Sequence, residues 1–186
     1  MTQAEVAMQV PLIDLAAQVA PLRAEILAAL ARIVDSQKFI LGEEVRSLEE
    51  KLAAYCGCKF AIGCGSGSDA LLLSLIALGI GPGDEVLTVP FSFFSTAGSV
   101  AHVGARAVFC DVDRQTFNID VSKAKAALDA HPNIKAIIPV HLFGGCADMD
   151  PLIAMARERN LAIIEDAAQS IGSEYRGRRA GSLGAV

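Results

Sequence analysis

Apolar positions recur every three or four residues in the first third of the chain. This spacing predicts two amphipathic helices, over residues 21–36 and 43–55. Pro21 suits the first turn of the first helix, and Glu43 suits the first turn of the second. Gly57 follows directly, where a left-handed residue would end the second helix.

From residue 59 onward the pattern changes to short apolar runs that alternate with amphipathic segments. The runs predict strands, which we place at residues 59–64, 85–89, 106–112, 134–141 and 161–165. The amphipathic segments predict helices, which we place at residues 68–78, 95–103, 121–130 and 150–159. Strands that are continuous and rich in Val, Ile and Ala are typical of parallel sheets covered on both faces. The pattern therefore predicts an α/β fold, a three-layer α/β/α sandwich with a mainly parallel sheet.

Composition narrows the function classes. The 186 residues are 53% apolar and 5% aromatic, with no Trp and a net charge of -5, which argues against nucleic acid as a partner. No apolar run is long enough for a membrane span, and residues 1–9 lack a secretory signal, so we expect a frayed extension there. Five cysteines without such a signal favour a cytoplasmic protein. The spacing of Cys56 and Cys58 is not a zinc pattern, so we expect no metal and small buried apolar side chains instead.

Ligands of a parallel sheet bind beyond the carboxyl ends of its strands. In this chain that rule selects residues 65–69, 90–96, 141–145 and 166–169. The first of these segments is glycine-rich and opens a predicted helix, where free N–H groups and the helix dipole favour an anion. Ser68 would add a hydroxyl there, although the alternative is that Ser68 only caps the helix and the glycines form a turn.

The other segments are ambiguous when taken singly. The phenylalanines of residues 91–94 are either core or a flat face for a heteroaromatic ring. Asp166 ends an apolar strand and could bind a metal, a ribose hydroxyl or a ring N–H⁺, while Glu165 points to the opposite side by strand alternation. A lone histidine such as His141 is more often packed than catalytic. The arginines of residues 176–179 suit either a phosphate or a solvated hairpin.

Taken together and in order, these segments resemble the DegT/DnrJ/StrS-type sugar aminotransferases, which are pyridoxal 5′-phosphate (PLP) enzymes of fold type I. The stretches that carry the resemblance are residues 10–15, 39–42, 65–71, 79–86, 139–144, 147–150, 164–169 and 181–184. The resemblance implies that residues 10–186 are part of the PLP-binding large domain. It implies a homodimer that transfers an amino group from an amino acid, glutamate, to a nucleotide-linked keto sugar.

The resemblance also assigns roles by position. It places the PLP phosphate at Gly67, Ser68 and Asp69, and the stacking ring at Phe93. It pairs Asp166 with the pyridine nitrogen, where a buried anion keeps that nitrogen protonated. The side chain near the phenolic oxygen would be Gln169, with His141 close to the cofactor in a role that the motif does not define.

One expected group is absent. The family's Schiff-base lysine follows the Gly-Ser-Leu-Gly stretch, beyond Val186, and none of the six lysines stands in that motif. We therefore expect a fragment that lacks the rest of the large domain and the small domain, and that is inactive by itself. The alternatives are a sugar dehydratase of the same family with histidine in place of lysine, a non-catalytic truncated binding module, and a plain nucleotide-binding domain.

Overall fold

The computed structural model describes residues 12–184, and the extension predicted at residues 1–9 lies outside them. The chain divides into two compact units, residues 1–46 and 47–186. The assignment of residues 10–186 to one cofactor-binding domain stays a prediction.

The first unit is helical. It contains α1 (Leu15–Val19), a 3-10 turn (Ala20–Leu22) and α2 (Arg23–Ser36). Asp14 caps α1 by accepting a hydrogen bond of 2.9 Å from the N–H of Ala17. The predicted first helix thus begins two residues later than expected, because the 3-10 turn takes up Pro21.

Helix α3 spans Glu43–Cys56, close to its predicted range. It ends where expected, since Gly57 has a left-handed φ of 75°. The following N–H, of Cys58, donates 2.9 Å to the carbonyl of Ala53. That is the hydrogen-bond pattern of a glycine-terminated helix.

Strands and helices alternate in the second unit, as predicted. The helices are α4 (Gly67–Ala77), α5 (Phe94–His102), α6 (Val121–Ala130) and α7 (Met149–Arg159). The strands between them are β1 (Glu85–Thr88), β2 (Arg106–Phe109), β3 (Ile134–Ile137) and β4 (Ala162–Ile163). A short antiparallel hairpin, β5 (Glu174–Tyr175) and β6 (Arg178–Arg179), follows.

The four main strands form one parallel sheet in the order β2-β1-β3-β4. On one face Val86 packs in a cluster with Leu75 of α4 and Val100 of α5. On the other face Leu87 packs with side chains of α6 and α7, including Leu152. Both faces of the sheet are therefore covered, which confirms the three-layer α/β/α prediction.

The prediction of a strand at residues 59–64 was wrong. This segment has no strand partner among residues 12–184, and one of its N–H groups, that of Gly63, donates 2.7 Å to a side-chain oxygen of Glu49. Phe60 and Ile62 are 71% and 83% exposed. An apolar run of this length indicates a strand only when a neighbouring strand supplies hydrogen bonds and covers its side chains.

Other boundaries differ by a few residues. The strands predicted at 106–112, 134–141 and 161–165 are shorter in the structure, because the regular ladder ends early. Beyond the ends of β3 and β4 the two segments stay paired through an isolated parallel bridge between Val140 and Asp166. That bridge carries the sheet's alignment to the edge at which the predicted ligand residues lie. Among residues 12–184, every helix is too short or too polar to cross a membrane.

Candidate functional site

The amino end of α4 carries the predicted phosphate turn. Ser66 caps the helix, accepting a 3.1 Å hydrogen bond at Oγ from the N–H of Asp69. The N–H groups of Gly67 and Ser68 have no acceptor among the described residues. Gly67 and Ser68 are both exposed, and a Cβ added to Gly67 would meet no side chain within 4 Å, so the surface at this turn is open. Two free amides at a helix start suit an anion with several oxygens.

Asp69 occupies a different position from its two neighbours in the predicted turn. Its own N–H is used by the Ser66 cap. Its carboxylate lies against Gly65, where a Cβ would come within 2.6 Å of Oδ2. A Cβ at position 65 would displace this carboxylate, which is the end of a flexible side chain, and the amides that are free for an anion belong to Gly67 and Ser68.

The first turn of α5 links the phosphate turn to the predicted ring-nitrogen acid. Ser95 Oγ lies 2.6 Å from Ser68 Oγ in α4. The next residue, Thr96, donates a 2.6 Å hydrogen bond from Oγ1 to Asp166 Oδ2. Two consecutive side chains thus join two segments that are about a hundred residues apart in sequence, and they place Ser68 and Asp166 in one site.

Asp166 is held firmly but is not fully used by the protein. Its backbone N–H donates 2.9 Å to Pro139 and its carbonyl accepts 3.0 Å from the N–H of His141. The residue is only 9% exposed. Oδ2 accepts from Thr96, whereas Oδ1 has no hydrogen bond within residues 12–184 and keeps some surface accessible to solvent. One carboxylate oxygen is therefore free to accept a proton donor from outside the chain.

The phenylalanines of residues 91–94 do not form core. Phe93 is 75% exposed, and it stands immediately before the first residue of α5. Its backbone is extended, with φ -69° and ψ 148°. Phe91 packs against Phe117 with ring centroids 5.7 Å apart. The exposed ring of Phe93 is thus available for stacking, while the core interpretation of this segment is wrong because these rings remain in solvent.

Gln169 lies on the loop after Asp166 and supports a second loop. Its Oε1 accepts a 3.2 Å hydrogen bond from the N–H of Phe143, a residue with a left-handed φ of 53°. Since the oxygen is occupied, the side-chain NH₂ group is the part of Gln169 that can act on a ligand, as a donor.

His141 is not free to bind a ligand through its ring nitrogens. Its Nδ1 accepts a 3.1 Å hydrogen bond from the N–H of Ala147, and its Nε2 lies 2.9 Å from Glu165 Oε2. The two contacts assign the hydrogen to Nε2, which donates to the carboxylate. The ring is fully buried, so the packed alternative accounts for its contacts, and no surface of the ring is accessible to a cofactor.

Glu165 and Asp166 point to different partners, as strand alternation predicts. Burial by itself raises the pKa of the Glu165 carboxyl, but hydrogen bonds from His141 and from the N–H groups of residues 181, 183 and 184 outweigh burial and lower the pKa below its ordinary value. Glu165 is consequently a buried anion, and it lies beside the predicted site.

The remaining candidates are used elsewhere. Arg176 and Arg178 of the hairpin pair with Asp150, and Arg179 lies 3.4 Å from Glu174. The hairpin alternative therefore accounts for all three arginines. No group of three or more candidate metal ligands occurs within residues 12–184. The cysteines match the expectation of burial only in part, since Cys110 is buried but Cys64 is exposed on the segment that forms no strand.

The sequence selects residues 90–96 as a ligand segment but assigns no role to Ser95 or Thr96, and it does not predict the pairing of His141 with Glu165. The sequence did contain a signal for a role of Ser95 and Thr96. They are two polar residues in the first turn of a predicted helix, directly after the end of a strand and within an otherwise apolar segment. The His141–Glu165 pair had none, since the two residues are 24 positions apart and only the parallel alignment of their strands brings them together.

A sequence model of the DegT/DnrJ/EryC1/StrS aminotransferase family matches residues 21–186. The chain is 50% identical over 177 residues to a pleiotropic regulatory protein of Geobacillus stearothermophilus, a match that covers 95% of this chain and 47% of that protein. It is 46% identical over 177 residues to the UDP-N-acetyl-3-dehydro-alpha-D-glucosamine 3-aminotransferase of Acidithiobacillus ferrooxidans, again covering 95% and 47%.

Among solved structures, DesV of S. venezuelae in complex with a ketimine intermediate aligns with a TM-score of 0.90 at 43% identity. That match covers 93% of this chain and 46% of the DesV chain. The chain thus spans about half the length of the curated relatives it matches.

Proposed function

Because the chain belongs to the DegT/DnrJ/EryC1/StrS aminotransferase family, we propose that the whole protein is a PLP-dependent aminotransferase. It transfers an amino group from an amino acid, glutamate, to a nucleotide-linked keto sugar. The observation that carries the proposal is the contact chain from Ser68 through Ser95 and Thr96 to Asp166. These hydrogen bonds connect an open anion site to a carboxylate with a free oxygen. A phosphorylated pyridine needs both, the first for its phosphate and the second for its ring nitrogen.

The residues present fit the cofactor. The free amides of Gly67 and Ser68 lie at the start of a helix of 11 residues, where a phosphate is favoured. The exposed ring of Phe93 offers a surface for stacking. The free Oδ1 of Asp166 matches a protonated ring nitrogen, whose positive charge this nearly buried carboxylate would stabilise.

Each side chain has a distinct task in this proposal. When bound, PLP supplies a ring that withdraws electrons from the reacting carbon of the amino acid. Asp166 holds the proton on the ring nitrogen, and Thr96 orients Asp166 through its hydrogen bond. Gln169 donates from its NH₂ group to the phenolic oxygen. Asp69 contributes by completing the capped turn, and His141 lies behind the site, hydrogen-bonded to Glu165.

The substrate class is supported by the relatives. The Acidithiobacillus ferrooxidans relative is named for a 3-dehydro sugar attached to UDP. Others are named a UDP-2-acetamido-2-deoxy-3-oxo-D-glucuronate aminotransferase, from Pseudomonas aeruginosa, and a GDP-perosamine synthase, from Caulobacter vibrioides. The first two names share a ketone on a UDP-linked sugar, the third shares the nucleotide part, and we extend the nucleotide-linked keto sugar to this protein.

We also propose the wider organisation that the family resemblance implies. Residues 10–186 form part of the cofactor-binding domain, and the whole protein is a cytoplasmic homodimer. Amino transfer requires a lysine that these residues do not bring to the site. None of the six lysines is hydrogen-bonded, within residues 12–184, to a residue that we assign to PLP.

An amino-transfer assay tests the proposed function. The whole protein, loaded with PLP, is incubated with glutamate and a panel of nucleotide-linked keto sugars, and 2-oxoglutarate is measured. We expect 2-oxoglutarate and an amino sugar in equal amounts with at least one member of the panel. An Asp166→Asn protein serves as the control and should give neither. The absence of 2-oxoglutarate across the whole panel would contradict the proposal.

A further inference from the structure

The buried anion Glu165 has no task in the proposed chemistry. Its side chain is 1% exposed, and that of His141, with which it pairs, is 0% exposed. A buried carboxylate is costly to the fold unless donors surround it. The donors that surround it therefore indicate what the residue does.

Four donors converge on the two oxygens. Oε1 accepts from the N–H groups of Leu183 and Gly184, each at 2.6 Å. Oε2 accepts from the N–H of Gly181 at 2.8 Å and from His141 Nε2 at 2.9 Å. Three of the four donors are backbone groups of one short turn, residues 181–184, so the carboxylate binds the chain itself.

Residues 181–184 make few other contacts that would fix the turn. Gly181 has a left-handed φ of 85°, and its carbonyl accepts a 2.9 Å hydrogen bond from the thiol of Cys58. Among residues 12–184, Ser182 bonds only back to Arg179, through its N–H at 3.2 Å and its hydroxyl at 2.6 Å. Leu183 inserts its side chain into the core cluster that contains Leu87. Within the part of the chain that the structure describes, Glu165 thus supplies three of the four hydrogen bonds that join residues 181–184 to segments before residue 179.

His141 fixes the carboxylate in turn. Its ring is bonded at both nitrogens, to Ala147 on one side and to Glu165 on the other, and it cannot rotate without losing both contacts. Glu165 is covalently adjacent to Asp166, whose Cα lies about 3.8 Å away across one peptide bond. The turn is consequently tied to the residue next to the ring-nitrogen acid.

We propose that Glu165, oriented by His141, is a positioning residue that holds residues 181–184 in a fixed place beside the Asp166 site. The chain that leaves Gly184 then starts from a defined point at the edge of that site. The consequence of this positioning for amino transfer rests on the proposed function, whereas the effect of Glu165 on the turn does not.

Hydrogen exchange of the backbone amides tests the effect on the turn. In the whole protein without PLP, Glu165→Gln removes the charge and turns an NH₂ group toward backbone donors. We expect the amides of Leu183 and Gly184 to exchange at least about tenfold faster, as for loss of a hydrogen bond to a charged group. Glu158→Gln is the matched control, because Glu158 is exposed and has no side-chain hydrogen bond within residues 12–184, and it should leave both amides unchanged.

Two results overturn the proposal. One is a folded Glu165→Gln protein in which these amides keep their wild-type protection. The other needs no variant and so does not depend on whether the substituted protein folds. In the wild type, we expect the Leu183 amide to exchange at least about tenfold more slowly than that of Gly177 in the hairpin turn, and equal rates would exclude a role for Glu165 in holding the turn.

A kinetic measurement tests the consequence for the reaction. In the whole protein, with rates normalised to bound PLP, we expect Glu165→Gln to lower kcat at least about tenfold and to leave KM for the keto sugar within about twofold, since positioning acts on the reacting groups. Glu165→Asp, which keeps the charge, should recover part of kcat. An unchanged kcat would sink the positioning role, while inactivity of the wild type itself would contradict the proposed function and leave the exchange experiment to decide on the turn.

Discussion

At the scale of single residues, Thr96 has the most informative contacts. It is 1% exposed, and its hydroxyl lies between the Ser92 hydroxyl, at 2.7 Å, and Asp166 Oδ2, at 2.6 Å. A hydroxyl can donate one hydrogen and accept others, so Thr96 can donate to the carboxylate while it accepts from Ser92. This arrangement leaves Asp166 fixed in direction with one oxygen free.

Replacing Thr96 tests how strongly that direction is maintained. Thr96→Val keeps the shape of the side chain but leaves a nearly buried carboxylate oxygen without its donor. We expect the free energy of unfolding to fall by about 1–3 kcal/mol, measured by urea denaturation. Thr96→Ser is the matched control, because it keeps the hydroxyl, and it should lose less. A loss in Thr96→Ser with none in Thr96→Val, which keeps the methyl group, would mean that packing of the methyl group, rather than the hydrogen bond, is what matters.

Glu165 gives a prediction about acid. Its pKa lies below the ordinary value of 4.5, so its stabilising contribution is complete above that pH and is lost as the pH falls through the lowered pKa. The ionisable groups that face it are His141 and the thiols of Cys58 and Cys146. Stability of the wild type should therefore decrease more steeply below about pH 4.5 than that of Glu165→Gln.

Urea denaturation at a series of pH values measures that difference. Glu158→Gln again serves as the control, and it should follow the wild type because its carboxyl is exposed. A wild-type curve parallel to that of Glu165→Gln in acid would contradict the assignment of Glu165 as a stabilising anion.

At the scale of elements, the start of α4 does two things at once. Ser66 closes one amide of the first turn by capping, and the amides of Gly67 and Ser68 stay open for an anion. Capping stabilises the helix, whereas the open amides leave backbone donors exposed. The sequence predicts the start of this helix to within one residue, because glycine and serine before a helix are local signals, but the capping alternative named Ser68 and the structure uses Ser66.

Removing the cap separates the two tasks. Ser66→Ala should destabilise the protein without PLP by about 1 kcal/mol, because the N–H of Asp69 loses its acceptor. Ser74→Ala is the control, since Ser74 Oγ bonds within the helix to the carbonyl of Ala70 and caps nothing. Thermal denaturation of the two variants measures the effect. A loss no larger for Ser66→Ala than for Ser74→Ala would show that the cap adds no stability.

The helices were easier to predict from sequence than the strands. The range predicted for α6 agrees with the structure to the residue, because its periodicity and the capping residue Asp120 are both local. The segment at residues 59–64 has an equally clear apolar pattern and still forms no strand, since a strand depends on a neighbour that a local pattern does not contain. The same reason explains why the ends of β3 and β4 were predicted too far along the chain.

At the scale of the whole molecule, the topology brings the site together. The parallel order β2-β1-β3-β4 carries the loops after β1 and β4 to one edge. Residues 65–69, 90–96 and 166–169 were selected in advance from the rule for parallel sheets, and hydrogen bonds through Ser95 and Thr96 connect all three. The partners of His141 and Glu165 could not be predicted, because they depend on the register between strands.

The distribution of lysines gives a prediction for the isolated chain. Residues 1–186 by themselves contain the proposed anion site and the proposed ring-nitrogen acid, but none of the six lysines is hydrogen-bonded to either within residues 12–184. We expect this chain to bind PLP reversibly and to produce no 2-oxoglutarate from glutamate and a keto-sugar nucleotide. The whole protein is the control. Turnover by the isolated chain at the rate of the whole protein would show that a lysine outside the site suffices.

The central claim is that Asp166 holds a proton on the ring nitrogen of bound PLP. Nuclear magnetic resonance of the whole protein, loaded with PLP that is isotopically labelled at that nitrogen, measures the protonation directly. We predict a protonated nitrogen in the wild type and an unprotonated one in Asp166→Asn, with the cofactor's phosphate still bound in both. The same nitrogen signal in the two proteins would contradict the account.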